Sequence, residues 1–497
     1  MVLEGWSFGA WTAGAWTTGA FVVVELLLLG LALVVVPHGR RPSSALAWIL
    51  LFVLVPVAGA LFFAVIGSPR LPRRRQGKQR TMNARIGARA RDVPPELDPP
   101  GGHPGAPQWL ASVAGLNRTL GAMPMLGGND AHLLTGSGDQ LAALVEAVAG
   151  ARRYVHVEFY ILCLDTTTAP FFAALADAIR RGVQVRVLLD HLGSRGYGGH
   201  RATLAELDRI GVEWHLMLPV QPLRGRYQRP DLRNHRKLVV VDGEVAFLGS
   251  LNMIDPSYNR AANRRRGLVW RDLLVRLQGP AVHEVDALFV TDWFSETDEV
   301  LATTRDPQGV RAAGDLLCQV VPSGPGFEVE NNLVLFNTLI YRAERRLSIT
   351  SPYFVPDESL LMAITTAARR GVAVEMFVGE VGDQRVVFHA QHSYYRALLE
   401  AGVRVYLYPA PSILHAKHLT VDDDVTVVGS SNMDMRSFVL ALEVSVMTCG
   451  RAFADQLRAL EDSYRAVSRE LTLAEWSRQS FAHRVVDGLA RLTSAVQ

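Results

Sequence analysis

One pattern occurs twice in this chain of 497 residues, and it restricts what the rest can be. His235-Arg236-Lys237 with Asp242 reads H-x-K-x4-D, and His415-Ala416-Lys417 with Asp422 repeats it. Both run on in register to Gly249-Ser250-Leu251-Asn252 and Gly429-Ser430-Ser431-Asn432, so every position recurs 180 residues later. The chain has 51 Lys plus Arg, yet only three are lysines: Lys78, Lys237 and Lys417. Arginine therefore serves wherever a plain positive charge is enough, and both lysines of the folded body stand in the same setting. A duplicated unit that supplies two half-sites accounts for this; chance does not.

The repeat extends beyond the motifs. Ala151–Tyr160 aligns with Glu344–Tyr353, each a helix end running into an alternating strand, and Arg180-Arg181-Gly182-Val183 aligns with Arg369-Arg370-Gly371-Val372, where glycine stops a helix before an apolar strand. Strands alternating with helices predict an α/β sheet in each half. Within each motif the β-rich run, the turn at Asp242-Gly243 or Asp422-Asp423-Asp424 and the apolar return predict a hairpin. His and Lys, two apart, would share one of its faces. Gly249 and Gly429, ending the return strand, are expected to leave room for a ligand. Asp272 lies 37 residues after its His and Glu443 lies 28 after, each a lone acid entering an apolar strand. The extra nine residues, within Pro256–Arg266, predict a loop near the site.

Residues 1–67 hold two apolar runs, about 16–36 and 45–66, each over 20 residues and so able to cross a hydrocarbon core of about 30 Å; they predict an N-terminal two-helix transmembrane hairpin. Arg70, Arg73, Arg74, Arg75, Lys78 and Arg80 follow the second run, and the positive-inside bias then puts the body on the cytoplasmic side of a cell membrane. Residues 68–107, basic and rich in Pro and Gly, predict a linker that rests on anionic headgroups. The expected halves are 108–305 and 306–497, the second ending in amphipathic helices. Cys163, Cys318 and Cys449 are scattered, so no disulfide framework and no zinc cluster follows from them. A net charge of +3 without a dense basic, aromatic-laced groove argues against nucleic acid as partner.

The residue set suits phosphodiester chemistry. One imidazole attacks phosphorus as the free base while a second protonates the leaving alkoxide. The product is a phosphohistidine, which divides one hard displacement into two easier ones. Lys237 and Lys417 neutralise phosphate charge, Asn252 and Asn432 donate from their amides, and Ser250 and Ser430 add hydroxyls, in place of any metal or cofactor. Asp272 and Glu443 hold the tautomers of His235 and His415.

The duplicated H-x-K-x4-D with G-S-x-N resembles the phospholipase D superfamily. The strings His156-Val157-Glu158, Asn252-Met253-Ile254-Asp255-Pro256, Ser351-Pro352-Tyr353-Phe354-Val355-Pro356 and Asn432-Met433-Asp434-Met435-Arg436-Ser437 resemble its bacterial cardiolipin synthases. That resemblance implies two pseudo-symmetric α/β halves, face to face around one shared active site. It also implies transfer of a phosphatidyl group from one phosphatidylglycerol to another, with release of glycerol. In this family the first-motif His is taken as nucleophile, which assigns attack to His235 and acid–base work to His415. His235, Lys237, Asp242, His415, Lys417 and Asp422 carry over as the catalytic set, the two Asp holding the hairpin turns. The alternatives are a membrane-bound phospholipase D using water as acceptor, and a membrane scaffold with a vestigial site. Oligomeric state is open, a homodimer included.

Overall fold

The computed structural model describes residues 8–38, 40, 42–68, 70–89, 105–301, 311–327 and 329–493, and divides into two compact units, Met1–Pro69 and Arg70–Gln497.

In the first unit the run expected as one span over 45–66 is two helices, Pro42–Leu54 and Pro56–Ile66. The break is local chemistry: Pro56 has no N–H to give and pushes Val55 out of the helical region, to φ −145° and ψ 72°. The first helix, Phe8–Val35, has 28 residues, with side chains described from Val22. Among the described residues no helix is long and apolar enough to cross a membrane, which corrects the expected hairpin of full-length spans. Ala32, Val36, Ala45 and Phe52 form a small core, while Leu27, Leu31, Val34, Leu46, Leu54 and Leu61 point outward.

The second unit is built on one sheet of sixteen strands. At its centre Leu126–Leu134 pairs antiparallel with Leu316–Ser323. Outward from that seam the first half runs Leu274–Gln278, Val245–Gly249, Lys237–Val241, Tyr154–Phe159, Gln184–Asp190 and Glu213–Met217. The second runs Ala441–Cys449, Val425–Gly429, His418–Val421, Arg346–Thr350, Ala373–Gly379 and Arg404–Tyr408, with Arg469–Leu471 at the edge. The mixed α/β class and the internal symmetry are as expected, but the halves join edge to edge in one sheet instead of standing face to face. The reason is that each half ends in a long antiparallel strand whose free backbone groups need a partner, and the other half supplies it.

Helices cover the parallel strands: Ala169–Arg180 and His200–Ile210 in the first half, Glu358–Arg369 and Arg385–Glu400 in the second. Gly182 and Gly371 end their helices at φ +86° and +94°. Val282–Thr297 and Arg451–Val467 pack at the seam, where Phe289, Trp293, Phe453 and Leu457 share one core with Val275 and Val444.

The linker over 68–107 needs correction. Arg73–Arg89 is a helix of this unit. Arg75 makes a bidentate pair with Glu296 at 2.7 and 2.6 Å, and Lys78 donates to the Phe294 and Ser295 carbonyls at 2.9 Å each. A cation on the last carbonyls of Val282–Thr297 satisfies orphan acceptors and complements the helix dipole, so Lys78 serves the fold and not a headgroup. Residues 90–104, and 302–310 at the expected boundary between halves, lie outside the described residues.

Candidate active site

The site forms where each half reaches across to the other. Neither His235 nor His415 lies in its motif strand; both sit just before it, at the end of a short strand that pairs elsewhere. Arg233–Asn234 runs parallel to Ala441–Leu442, and the N–H of His235 donates to Leu442 O at 2.8 Å. Symmetrically, Ser412–Leu414 runs parallel to Val269–Arg271, and the N–H of His415 donates to Arg271 O at 2.8 Å. The next residue along each partner strand is the acid. Each carboxylate therefore serves the other half's imidazole: His235 Nδ1 lies 2.9 Å from Glu443 Oε1 and 3.0 Å from Oε2, and His415 Nδ1 lies 2.6 Å from Asp272 Oδ1. The site does not exist in either half alone.

The glycines and serines of G-S-x-N do something other than expected. A Cβ on Gly249 would stand 2.2 Å from Leu273 O, and one on Gly429 2.3 Å from Val444 O. The room they leave is filled by the acid-bearing strand, not by a ligand. Ser250 Oγ donates to Asp272 Oδ1 at 2.7 Å and accepts from the Leu273 N–H at 2.9 Å. Ser430 Oγ donates to Glu443 Oε2 and accepts from the Val444 N–H at 3.0 Å. With its one proton committed, neither hydroxyl is left to bind phosphate; both orient acids.

Asp242 and Asp422 lie beyond the far ends of the motif strands. At about 3.3 Å per residue, Asp242 is about 16 Å along the chain from Lys237. Asp242, at φ +55°, accepts the N–H groups of Arg152, Arg153 and Tyr154 at 2.8 to 2.9 Å. Asp422, at φ +48°, accepts those of Arg345 and Arg346 at 2.8 and 3.0 Å, and that of Glu344. They clip the hairpin turns.

Lys237 opens its motif strand, while Lys417 lies just before its own, not within it as expected. Lys237 Nζ donates to His235 O and Lys417 Nζ to His415 O, each at 2.6 Å, and both side chains are buried. Burial lowers the Lys237 ammonium well below its ordinary value and brings Lys417 down to about 8, against the pull of Glu443 and Asp272. Asn252 donates to Tyr258 Oη at 2.8 Å, and the Oδ1 atoms of Asn252 and Asn432 are buried without a partner.

The two histidine pairs are electrically unequal. His235 is held well below the ordinary imidazole value by burial, then by Lys237, Lys417 and His415. Its partner Glu443 is pushed up to about 7, chiefly by burial. His415 is also lowered by burial and Lys417, but Asp272 pulls against that. Asp272, although raised by burial, is carried below the usual carboxylate range by His415 and its other partners. The first pair thus keeps its imidazole neutral, and the second offers an imidazole backed by an ionised acid.

Other residues of the site are not marked by the motif. Tyr160 meets His235 edge-on at 4.9 Å, and Lys237 Nζ lies 5.4 Å from its ring centre. Tyr258, in the extra loop, is 6.3 Å from His415, and Tyr353 is 6.5 Å away on another side. A narrow cleft adjoins, lined by Tyr353, Asp383, Gln384, Phe388, Ile413 and Leu414. Behind His235, Asp190 accepts from the Asn234 N–H at 2.9 Å, and Glu158 from Asn234 Nδ2 at 2.8 Å. An acid inside an apolar strand was the one available signal for these two.

Comparison with known proteins gives a consistent result. The family model described as "Cardiolipin synthase, PLD-like domain" matches residues 144–293 and 336–463. Cardiolipin synthase A of Proteus mirabilis is 32% identical over 473 residues, covering 93% of this chain and 95% of that one. Cardiolipin synthase of Alkalihalophilus pseudofirmus is 31% identical over 484 residues, covering 95% and 93%. Among solved structures, phosphatidylserine synthase of Haemophilus influenzae superposes with a TM-score of 0.59 at 14% identity, over 78% of this chain and all of that one, a likeness of fold.

Proposed function

This chain belongs to the cardiolipin synthase family of phospholipase D-like enzymes, and on that footing we propose that it joins two phosphatidylglycerol molecules into cardiolipin and glycerol through a phosphohistidine. The observation that carries the mechanism is the crossed pairing of each imidazole with the other half's acid, Nδ1 bound and Nε2 free. A proton on Nδ1, directed at the carboxylate, leaves the Nε2 lone pair for attack.

His235, kept neutral, is the nucleophile. Its Nε2 bonds to phosphorus as the P–O bond to the departing glycerol breaks, and His415, entering this step as the imidazolium with its Nδ1–H on ionised Asp272, gives that oxygen the proton of its Nε2. A hydroxyl of the second phosphatidylglycerol then returns a proton to His415 and attacks phosphorus, and the P–N bond breaks. Lys237 and Lys417 stabilise the charge on the non-bridging oxygens, and the unpartnered amide oxygens of Asn252 and Asn432 accept from headgroup hydroxyls. Lipid contact is supported by the outward-facing leucines and valines of residues 22–62, an arrangement suited to hydrocarbon and not to water. Exposed Phe481, Val485 and Leu489 on the helix Phe481–Arg491, with Leu492 just past its end, add a second apolar stripe.

The test is a reaction with phosphatidylglycerol labelled in its phosphatidyl part. His415→Ala should accumulate acid-labile, base-stable label on the protein, and His235→Ala should accumulate none. Label trapped on His235→Ala reverses the two roles; phosphatidic acid as sole product of the wild type replaces transfer by hydrolysis.

A further inference from the structure

Away from the site, two helices bring together a second group of histidines. Arg385–Glu400 carries His389 and His392, one turn apart on one face. Phe481–Arg491 carries His483 and Asp487, again one turn apart, and packs against it. One ligand atom from each of His389, His392 and Asp487 lies within 4.8 Å of the others. His389 Nδ1 is 2.8 Å from Asp487 Oδ1, and the His483 ring centre is 6.4 Å from that of His389.

An imidazole–carboxylate pair is common at helix contacts and explains His389 with Asp487. It does not explain His392. That side chain turns its Nδ1 inward, buried and without a hydrogen-bond partner, a placement that costs a protein stability unless something pairs it. Around it stand Phe388 at 4.1 Å, Tyr395 at 5.2 Å and Trp476 at 5.3 Å, an apolar wall of the kind that shields a bound ion from water. A tetrahedral ion with bonds of about 2.0–2.2 Å holds its ligand atoms about 3.3 Å apart, so side-chain rotations that draw the three atoms together by roughly 1.5 Å complete the geometry.

We propose that His389, His392 and Asp487 bind a divalent first-row transition cation of the zinc type, with His483 placed to fill the fourth position. Imidazole nitrogen and one carboxylate oxygen select such an ion over Mg²⁺ or Ca²⁺, which want oxygen. The consequence is mechanical. Phe481–Arg491 buries only Asp487 and Ala490 of its own residues, and Asp487 is the would-be ligand. An ion bonded to both helices clamps this segment, with its exposed apolar stripe, to the body.

The test uses the full chain without a histidine tag, in detergent micelles, stripped with chelator and titrated with Zn²⁺ against a chromophoric competitor. The expected result is one Zn²⁺ per chain, with His392→Ala and Asp487→Asn each weakening binding on the order of a hundredfold or more and His235→Ala leaving it unchanged. Zn²⁺ should also slow proteolysis within 473–493 in the wild type and not in His392→Ala. His392→Gln, of similar size, guards against misfolding: its thermal transition should match that of the stripped wild type. Cardiolipin synthesis by the stripped protein should stay within about twofold of the loaded one. Absence of stoichiometric binding, or equal binding by the His392 variants, overturns the proposal.

Discussion

Glu443→Gln isolates what burial does to the acid of the nucleophile pair. Glu443 is fully enclosed and its carboxyl is pushed up to about 7, while the unfolded chain returns it to the ordinary value of 4.5. A group raised on folding contributes fully below its unfolded value, and that contribution disappears as pH rises through its folded value. The folded state therefore weakens between about pH 4.5 and 7, by about 3 kcal/mol at about 1.4 kcal/mol per pKa unit. Glutamine has the shape of the protonated acid and does not titrate, so the variant should escape this loss. Over the 428 residues of the unit, about 2.1 cal/mol/K per residue turns 3 kcal/mol into a gap of about 3 °C that opens as pH goes from 4.5 to 8, the variant melting higher. Scanning calorimetry of both proteins in one detergent across that range is the assay. Activity should move the other way. Ser430 must donate to an oxygen at the Oε2 position, which places the new NH2 group 2.9 Å from His235 Nδ1 and forces the imidazole proton onto Nε2. A wrong tautomer costs about 10⁴ in kcat in the serine-protease case, and a fall of 10³ to 10⁴ is expected here. A melting difference that does not change with pH, or a variant that keeps more than a tenth of wild-type turnover, refutes the reasoning.

Further outcomes follow from the same geometry. Asp242→Asn keeps the two N–H bonds to one oxygen and turns an amide against the Arg152 N–H; it should lose about 2 kcal/mol of stability, seen in thermal melts, with KM for phosphatidylglycerol unchanged. Gly429→Ala drives a methyl to within 2.3 Å of Val444 O and should destabilise by more than about 3 kcal/mol, displacing Glu443, which melting and recovered activity will register. The Lys417 ammonium, brought down to about 8, loses its charge as pH rises through that value, so kcat/KM should show a one-proton fall centred near pH 8. A profile flat to pH 10 contradicts that assignment.

The duplicated motif, the alternation of helix and strand and the two stray acids are legible along the chain because they depend on spacing, and the spacing of side chains on strands is fixed by backbone geometry. Asp272 and Glu443 can be found that way; their partners cannot. Nothing local tells Asp272 that it will meet His415, because the pairing of Val269–Arg271 with Ser412–Leu414 is decided by which backbone edges remain unsatisfied once both halves have folded. The same limit explains the serines and glycines of G-S-x-N. Their neighbours belong to a strand 13 to 24 residues on, so they looked free for a substrate when they are occupied by the fold. Tyr160, Tyr353 and the pair His392 with Asp487 lie far apart in the chain and carry no periodic mark.

The order of residues, then, determined by itself that this is a two-half α/β protein in which an imidazole and an ammonium group recur at matched spacing. Only the tertiary structure decided who holds whom. One sheet runs through both halves, each histidine is latched to the opposite acid strand, and the burial that results makes two chemically identical motifs unequal. Identity and spacing are properties of a chain, whereas desolvation and long-range pairing exist only once that chain has closed on itself.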